Sequence, residues 1–282
     1  MPDRTVLITG CSSGIGRETA LKFGKKGWKV YATARYPEDI ENLADKGFET
    51  LELDVTDEKQ VTDAVETVVE NDGRFDCLVN NAGYGQMGVV EDVTTDELHY
   101  QFDVNVYGPH RLTRAVLPQM RDQGWGTIVN MSSIAGRISS PGMGAYAASK
   151  HALEALSDSL RAEVDDFGID VVLIEPGPVN TKFGDNVEGI DHRSRDGDEG
   201  DDDVEDEGAY EAIYRGIRSF NESLSSGRSA HPTEVAETIY EAAESDDPKA
   251  RYSVKWSFRI ASLGRYVPSK WRDRFYDKLS GE

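Results

Sequence analysis

Tyr146 and Lys150 are the residues whose types and spacing point most directly to chemistry. They lie four positions apart at the start of a helical pattern, so both side chains fall on one face of the helix. A lysine ammonium beside a phenol favours the phenolate and lowers the phenol's pKa from about 10 towards neutrality. Such a tyrosine can act as a general acid or base at a carbonyl or carbinol.

Ser133 precedes this pair by thirteen residues and follows the apolar run 127–131. The carboxyl end of a parallel strand meets the binding crevice of an open sheet, where a serine hydroxyl could polarise a substrate oxygen. Ser132 is a competing candidate for this role. The spacing to Tyr146 favours Ser133.

A second pair with the same spacing, Tyr266 and Lys270, lies near the end of the chain. Pro268 falls between them and disfavours a continuous helix. This pair also follows no strand of the predicted sheet. We therefore assign the chemistry to the first pair.

A glycine-rich loop follows the apolar run 5–8 at the start of the chain. A strand, a glycine turn and a helix start form the context of a phosphate-binding loop, because the helix N-terminus offers free N–H groups and a positive dipole end. A turn that binds nothing is the alternative. The loop residues predicted to bind a dinucleotide are Gly10, Ser12, Ser13, Gly14, Ile15 and Gly16.

Arg35 ends the predicted strand 28–34, where NAD-binding chains tend to carry an acid for the ribose 2′-hydroxyl. A guanidinium can form charge-assisted bonds to a 2′-phosphate, which favours NADP(H) over NAD(H). Arg35 could instead pair with Glu38 or Asp39 at the next helix start. NAD(H) remains the alternative cofactor.

Alternating strand and helix patterns surround these residues without an intervening linker. Predicted strands cover 4–9, 28–34, 48–53, 76–80, 126–131, 169–175 and 251–254. Predicted helices cover 14–26, 37–46, 57–71, 94–103, 105–122, 145–166, 209–224 and 233–245. We expect one α/β domain over 1–282, a three-layer doubly wound parallel sheet of the Rossmann type.

The composition is strongly acidic, with 52 Asp and Glu against 31 Lys and Arg and a net charge of -21. This balance disfavours nucleic-acid binding. Because salt screens the repulsion among so many like charges, we interpret the chain as halophilic.

Cys11 and Cys77 are too few for a disulfide framework, which favours a reducing compartment. No apolar run approaches about 20 residues and no signal peptide precedes the first strand, so we expect a cytoplasmic protein without a transmembrane segment. The histidines show no metal-ligand spacing, and we predict no metal site.

Two segments depart from the alternating pattern. The segment 183–210 is predicted to be a mobile lid, because 12 acids against two bases between Asp185 and Glu207 cannot bury a core. The segment 249–282 is basic and aromatic, with nine bases against three acids. We interpret it as surface helices that pair with the acidic body; a pocket flap or weak peripheral membrane contact is the alternative.

The motifs together resemble the short-chain dehydrogenase/reductases, in their single-domain branch with a Tyr-x-x-x-Lys site. Matching pieces are Thr9-Gly10-x-x-x-Gly14-x-Gly16, Asp54-Val55, Asn80-Asn81-Ala82-Gly83, Asn105 in Asn-Val-Tyr-Gly, Ser133, Tyr146 with Lys150, and Pro176-Gly177 with Thr181. They cover residues 4 to about 181 in family order. The glycine loop and Tyr31-Ala-Thr-Ala-Arg35 are most similar to the 17β-hydroxysteroid and retinol dehydrogenase-like subgroup, which often uses NADP(H).

The resemblance implies roles for particular residues. Tyr146 would transfer the proton, Lys150 would tune it and hold the nicotinamide ribose, and Ser133 would position the substrate oxygen. Asn105 would anchor a water in a proton relay to Lys150. Further cofactor contacts are implied for Asp54, Val55, Asn81, Ala82, Gly83, Pro176, Gly177, Val179 and Thr181.

Two of these residues have simpler interpretations: Asp54 could cap a helix, and Asn105 could occupy a kink. The resemblance predicts an oxidoreductase that interconverts an alcohol and its ketone or aldehyde with NADP(H), acts on a fairly apolar substrate and forms a homodimer or homotetramer. A catalytically inactive cofactor-binding sensor or scaffold is the alternative from another class.

Overall fold

A computed structural model describes residues 4–181, 187–188, 210–216 and 229–254, together with residues 268 and 270. Its main feature is a seven-stranded parallel sheet in the order β3-β2-β1-β4-β6-β7-β9. The strands in chain order are β1 (Thr5–Ile8), β2 (Lys29–Ala34), β3 (Glu49–Glu52), β4 (Cys77–Asn80), β5 (Gly85–Gln86), β6 (Gly126–Met131), β7 (Ile169–Pro176), β8 (Val187–Glu188) and β9 (Arg251–Val254). The short strands β5 and β8 pair in parallel outside this sheet.

Helices connect the strands of the sheet. They are α1 (Gly14–Lys25), α2 (Glu41–Ala44), α3 (Glu58–Asp72), α4 (Thr95–Phe102), α5 (Gly108–Gln123), α6 (Gly144–Val164) and α7 (Pro232–Glu244). A 3-10 turn precedes α2, a π-helical turn (Asp103–Tyr107) joins α4 to α5, and residues 211–216 are also helical. None of the described helices is both long and apolar enough to cross a membrane.

The alternation of side chains along β1 explains the three layers. Val6 and Ile8 pack in one core cluster with α1 and α7, through residues such as Phe23 and Ile239. Leu7 points to the opposite face and packs in a second cluster with α3 and α5. Because both faces of the strand are buried, it is a continuous apolar run with a helical layer on each side.

The sheet order reverses between β1 and β4, and this topological switch point places a crevice at the carboxyl ends of these strands. The predicted fold class, a doubly wound parallel sheet, is confirmed. Each predicted strand overlaps an observed one. The strands β5 and β8 were not predicted from the sequence, because a strand of two residues is too short to show a hydrophobic period.

Three predicted helices differ in detail. The helix predicted over 37–46 is a 3-10 turn, Pro37–Ile40, followed by the single turn of α2. The helices predicted as 94–103 and 105–122 are joined through the π-helical turn. The proposed lid 183–210 lies outside the described residues except at 187–188 and 210, and the segment 249–282 is described only at 249–254, 268 and 270.

Candidate active site

A cavity of about 390 Å³ opens at the carboxyl ends of β1, β2, β4, β6 and β7. Every site residue predicted from the sequence lines this cavity except Gly16 and Asn105. The glycine loop and the Tyr146/Lys150 pair, which are remote in sequence, therefore share one space. This convergence follows from the parallel sheet, whose strand ends all meet at one edge.

The glycine loop is shaped by backbone conformations that side chains would prevent. Gly10 and Gly14 have positive φ angles of 72° and 57°. A Cβ atom on Gly16 would lie 2.3 Å from the Gly10 carbonyl oxygen, so only glycine permits this approach of helix to strand. Ser13 precedes α1 without a side-chain cap, and the first turn carries no acid. The N-terminus of α1 is thus open to an anion.

Thr9 ties this loop to the segment that follows β4. Its hydroxyl oxygen accepts hydrogen bonds from the backbone N–H groups of Asn81 (2.9 Å) and Ala82 (2.8 Å). The Asn81 side-chain amide donates back to the Thr9 carbonyl at 2.8 Å. The two walls of the crevice are therefore held at a fixed separation.

Arg35 lies at the end of β2, on the rim of the cavity. Its guanidinium donates to the Tyr100 hydroxyl at 3.5 Å and lies 5.7 Å from the centre of the Tyr36 ring. Within the described part of the chain it forms no ion pair, so the alternative pairing with Glu38 or Asp39 is not observed.

Asp54 does not cap α3, since the N-cap is Asp57. One Asp54 carboxylate oxygen accepts from the backbone N–H of Thr56 (2.9 Å) and from its hydroxyl (2.7 Å). This turn presents Asp54 and Val55 to the cavity.

Tyr146 and Lys150 lie on the first turns of α6, both almost completely buried. The Lys150 ammonium donates to the Met131 carbonyl oxygen at 2.7 Å and lies 5.8 Å from the centre of the Tyr146 ring. The Tyr146 hydroxyl is hydrogen-bonded to Ser133. Ser132, the competing serine, has a buried hydroxyl without a hydrogen-bond partner among the described residues. The geometry therefore favours Ser133 beside the phenol.

Burial controls the protonation of this pair. It raises the pKa of Tyr146 to about 12, against the opposing effect of the Ser133 hydrogen bond. It lowers the pKa of Lys150 to about 8, while the negative charge of Glu154 opposes that fall. The expectation that Lys150 lowers the pKa of Tyr146 towards neutrality is wrong. The loss of hydration on burial raises this pKa more than the neighbouring groups lower it.

Asn105 lies behind the cavity, in the π-helical turn. Its amide nitrogen donates to the Tyr84 carbonyl (2.9 Å) and the Ser149 hydroxyl (3.3 Å), and its oxygen accepts from the Tyr84 N–H (3.2 Å). A Cβ on Gly83 would lie 3.0 Å from this oxygen and 3.8 Å from the Lys150 nitrogen. Asn105 therefore holds the loop after β4 against the lysine, and one lone pair of its oxygen remains for a further donor.

The cavity also contains residues that sequence reasoning did not name. Met87 and Met143 line the end near Tyr146, and Tyr100 lines the end near Arg35. The two methionines fall in the stretches 84–92 and 137–145, which follow the predicted strands 76–80 and 126–131 and can therefore line a pocket at the strand ends. Tyr100 had no such signal, since an exposed helical tyrosine resembles any surface residue.

The helical residues 211–216 pack beside this end of the cavity. Ile213 and Tyr214 contact a small apolar cluster that includes Met87 and Tyr146. The Tyr214 hydroxyl donates to the Asp92 carboxylate at 2.5 Å. No group of His, Cys, Asp and Glu residues in the described ranges is arranged to hold a metal ion.

Comparison with known proteins agrees with this geometry. A sequence model of the short chain dehydrogenase family matches residues 4–189. The uncharacterized oxidoreductase YbbO of Escherichia coli K12 is 38% identical over 273 residues, which are 96% of this chain and 93% of YbbO. The NADPH-dependent 3-dehydrocapnine reductase of Ornithobacterium rhinotracheale is 34% identical, covering 98% of this chain and 96% of that protein. Human 17-beta-hydroxysteroid dehydrogenase type 1 is 36% identical, covering 89% and 77%.

Solved structures extend the likeness to three dimensions. A short-chain dehydrogenase from Streptomyces avermitilis superposes with a TM-score of 0.79 at 33% identity, covering 99% of this chain and 97% of that one. A short chain dehydrogenase/reductase from Burkholderia phymatum in complex with NAD has a TM-score of 0.78 at 26% identity, covering 96% and 95%. The family match and the near full-length relatives confirm the resemblance noted in the sequence: the chain belongs to the short-chain dehydrogenase/reductase family.

Proposed function

We propose that this oxidoreductase interconverts an alcohol and its ketone or aldehyde, with NADP(H) as the hydride carrier. The observation that carries the proposal is the single cavity lined by both the glycine loop and the side chains of Ser133, Tyr146 and Lys150. A binding loop alone would need no buried proton donor. Their shared cavity puts a proton donor within the space that a bound dinucleotide would occupy.

The groups present fit a nicotinamide dinucleotide. The open N-terminus of α1 and the close approach at Gly16 form a cradle for a pyrophosphate. Asp54 and Val55 would contact the adenine, and Asn81 to Gly83 would line a ribose. Lys150 would hold the nicotinamide ribose, and the segment from Pro176 to Thr181 would hold the nicotinamide end.

The chemistry is divided between cofactor and protein. A bound nicotinamide cofactor supplies or accepts the hydride. Tyr146 stays protonated at neutral pH because burial raises its pKa to about 12, so it can donate a proton to a substrate oxygen. Ser133, which is bonded to the same phenol, can donate a hydrogen bond to that oxygen. Protonated Tyr146 is the form that carbonyl reduction requires.

The substrate end of the cavity supports an apolar substrate. Met87, Met143 and Ile134 line the cavity beside Ser133 and Tyr146, and the charged side chains among the described lining residues are Arg35, Asp54 and Lys150. Arg35 and Asp54 lie at the strand ends on the adenine side. The relative named as a hydroxysteroid dehydrogenase supports the same substrate character.

Arg35 supports NADP(H) over NAD(H). Its guanidinium lies at the end of β2 on the cavity rim without an ion pair among the described residues. One relative is named as NADPH-dependent, whereas the Burkholderia phymatum structure contains NAD. NAD(H) is thus the in-class alternative, and the Arg35 side chain is the feature that separates the two.

A panel of apolar ketones, aldehydes and alcohols, assayed at molar salt with NADPH and NADH separately, tests the proposal. We expect turnover with at least one carbonyl, faster with NADPH. Quenching of nicotinamide fluorescence without turnover across the panel would favour the cofactor-binding sensor instead. Assembly as a homodimer or homotetramer, membrane contact through 249–282 and a cytoplasmic location remain predictions from the sequence.

A further inference from the structure

A buried cluster of opposite charges lies behind the proposed catalytic residues. Arg251 donates to one Glu154 carboxylate oxygen through two nitrogens, at 3.0 and 2.9 Å, and lies 3.3 Å from Glu175. Arg137 lies 3.6 Å from Glu154 and 3.7 Å from Glu175. Both glutamates are about 5% exposed or less. We call these four residues the charge cluster.

Three residues of the charge cluster lie in segments that also carry a proposed active-site residue. The fourth, Arg251, binds to these segments from a neighbouring strand. Arg137 lies in the turn that begins at Ser133. Glu154 follows the catalytic lysine by one turn of α6, and Glu175 is the residue before the end of β7. Arg251 begins the edge strand β9 and pairs with Glu154, with Glu175 and with Asp158, which lies one turn further along α6. The cluster therefore joins three walls of the cavity.

Close packing at Gly136 shows how tightly the cluster is connected to the serine turn. A Cβ atom on Gly136 would lie 3.1 Å from the Glu154 Cγ atom, 2.6 Å from the Ser132 hydroxyl and 3.3 Å from the Lys150 carbonyl oxygen. The Glu154 side chain thus passes directly beneath the turn that positions the serine. Its conformation and that of the turn depend on each other.

The hydrogen bonding of the cluster is incomplete, although its two carboxylates and two guanidinium groups lie in ion-pair contact. One carboxylate oxygen of Glu154, one of Glu175 and the Nε of Arg137 accept or donate no hydrogen bond among the described residues. Buried ion pairs cost desolvation energy, and well-packed apolar residues often stabilise a fold as well or better. Stabilisation of the fold alone therefore does not explain why two buried carboxylates lie beside the part of α6 that carries Lys150.

Lys150 is a buried group next to the cluster, and a nearby negative charge would stabilise its ammonium form. It forms no ion pair of its own in the described part of the chain, and its hydrogen bond is to the neutral Met131 carbonyl. Tyr146 and Glu154 flank it on α6, and Arg137, Glu175 and Arg251 face the cluster from the other elements. The Glu154 charge opposes the effect of burial on the Lys150 pKa.

We propose that Glu154, one turn after Lys150 on the buried face of α6, acts through its negative charge to keep the Lys150 ammonium protonated, while Arg137 and Arg251 hold the Glu154 carboxylate in place. The functional consequence rests on the proposed function, in which Lys150 acts charged. The charge coupling itself does not, because it is a property of the chain without cofactor or substrate.

Glu154→Gln and Glu175→Gln form a matched pair to test this. Each removes one buried negative charge that faces the same two arginines, but only Glu154 shares the lysine helix. The direct readout is the titration of the Lys150 side chain by ¹³C NMR in lysine-labelled, cofactor-free protein, with Lys150→Arg to assign the signal. We expect Glu154→Gln to lower the titration midpoint by about one pH unit and Glu175→Gln to leave it near the wild-type value.

Equal shifts in both variants, or no shift in Glu154→Gln, would overturn the proposal. If Glu154→Gln does not fold, the double variant Glu154→Gln/Arg251→Met removes the pair together and avoids an unpaired guanidinium. The midpoint is again expected to fall, but by less than in the single variant, because the loss of the Arg251 charge opposes the change. The pH profile of kcat/KM separates the two proposals. An NMR shift without a parallel shift of the alkaline limb supports the charge coupling and contradicts the proposed role of Lys150.

Discussion

The proposed cofactor cradle (residues 4–55) and the proposed catalytic region (residues 126–181) are each built from parallel strands connected by helices, but they are shaped by different groups. The shape of the cradle is set by its backbone conformation: Gly10 and Gly14 adopt positive φ angles, and the site of Gly16 has no room for a Cβ atom. The properties of the catalytic region are set by buried polar side chains, above all those of Lys150 and Glu154.

A chain of side-chain hydrogen bonds illustrates the second mode. Asn80 at the end of β4 donates to Asn130 on β6 at 2.8 Å, and Asn130 donates to the Ser157 hydroxyl on α6 at 2.9 Å. These bonds fix the helix that carries Tyr146 against the sheet. The cradle should therefore tolerate changes of charge and resist changes of volume, whereas the catalytic region should respond to single charges and hydroxyls.

Tyr146→Phe should produce the largest effect and sharpen this contrast. The change removes a hydroxyl from the catalytic region and leaves the cradle intact, so we expect turnover to fall at least ~10²-fold with little change in cofactor affinity. Steady-state kinetics and cofactor fluorescence titration measure the two quantities. Tyr266→Phe, in the second Tyr-x-x-x-Lys pair, is the control, and a larger loss there would contradict the site assignment.

Arg35→Asp tests the one place where a charged side chain is assigned a binding role in the cradle. We expect wild-type protein to bind NADPH ~10- to 100-fold more tightly than NADH, because of a charge-assisted contact to the 2′-phosphate. The variant should reverse that preference. Arg121→Asp makes the same charge change on α5, away from the cavity, and should preserve it. Equal dissociation constants in the wild type would show that the cradle does not read this charge.

The pH dependence of carbonyl reduction tests whether charge governs the catalytic region. Lys150 is charged below its pKa of about 8, and Tyr146 remains protonated until about 12. We therefore expect kcat/KM for reduction to fall as pH rises through about 8, while the phenol still holds its proton. A rate that instead increases from pH 7 to 9 would mean that ionised Tyr146 governs the reaction.

Salt should act on both regions alike and gives the smallest effect. With a net charge of -21, surface repulsion decreases as salt screens it, so the melting temperature should rise by several degrees from dilute buffer to molar KCl. Circular dichroism melts measure this. The buried charge cluster is screened much less, so the Lys150 titration should move little over the same range. A falling melting temperature would contradict the halophilic interpretation.

The strands of the sheet could be predicted from hydrophobic periodicity, because this pattern is a local property of the sequence. The runs that became β1, β4 and β6 are mostly apolar, and the glycine loop follows the first of them directly. Strand ends in a parallel sheet converge on one edge, so the cavity shared by Gly10 and Tyr146 follows from the order of elements. The pairing of β5 with β8 left no such trace in the sequence.

The candidate site residues, and the helix face on which Tyr146 and Lys150 lie, could be predicted from the sequence, since spacing along one helix is a local property. Their protonation and their partners depend on the packing of elements that are remote in sequence. Burial by distant elements sets the pKa of Tyr146 in the direction opposite to the one expected from its neighbour Lys150. Arg251 reaches Glu154 across 97 residues of sequence. Desolvation and long-range charge depend on which elements pack together, and no local pattern encodes that.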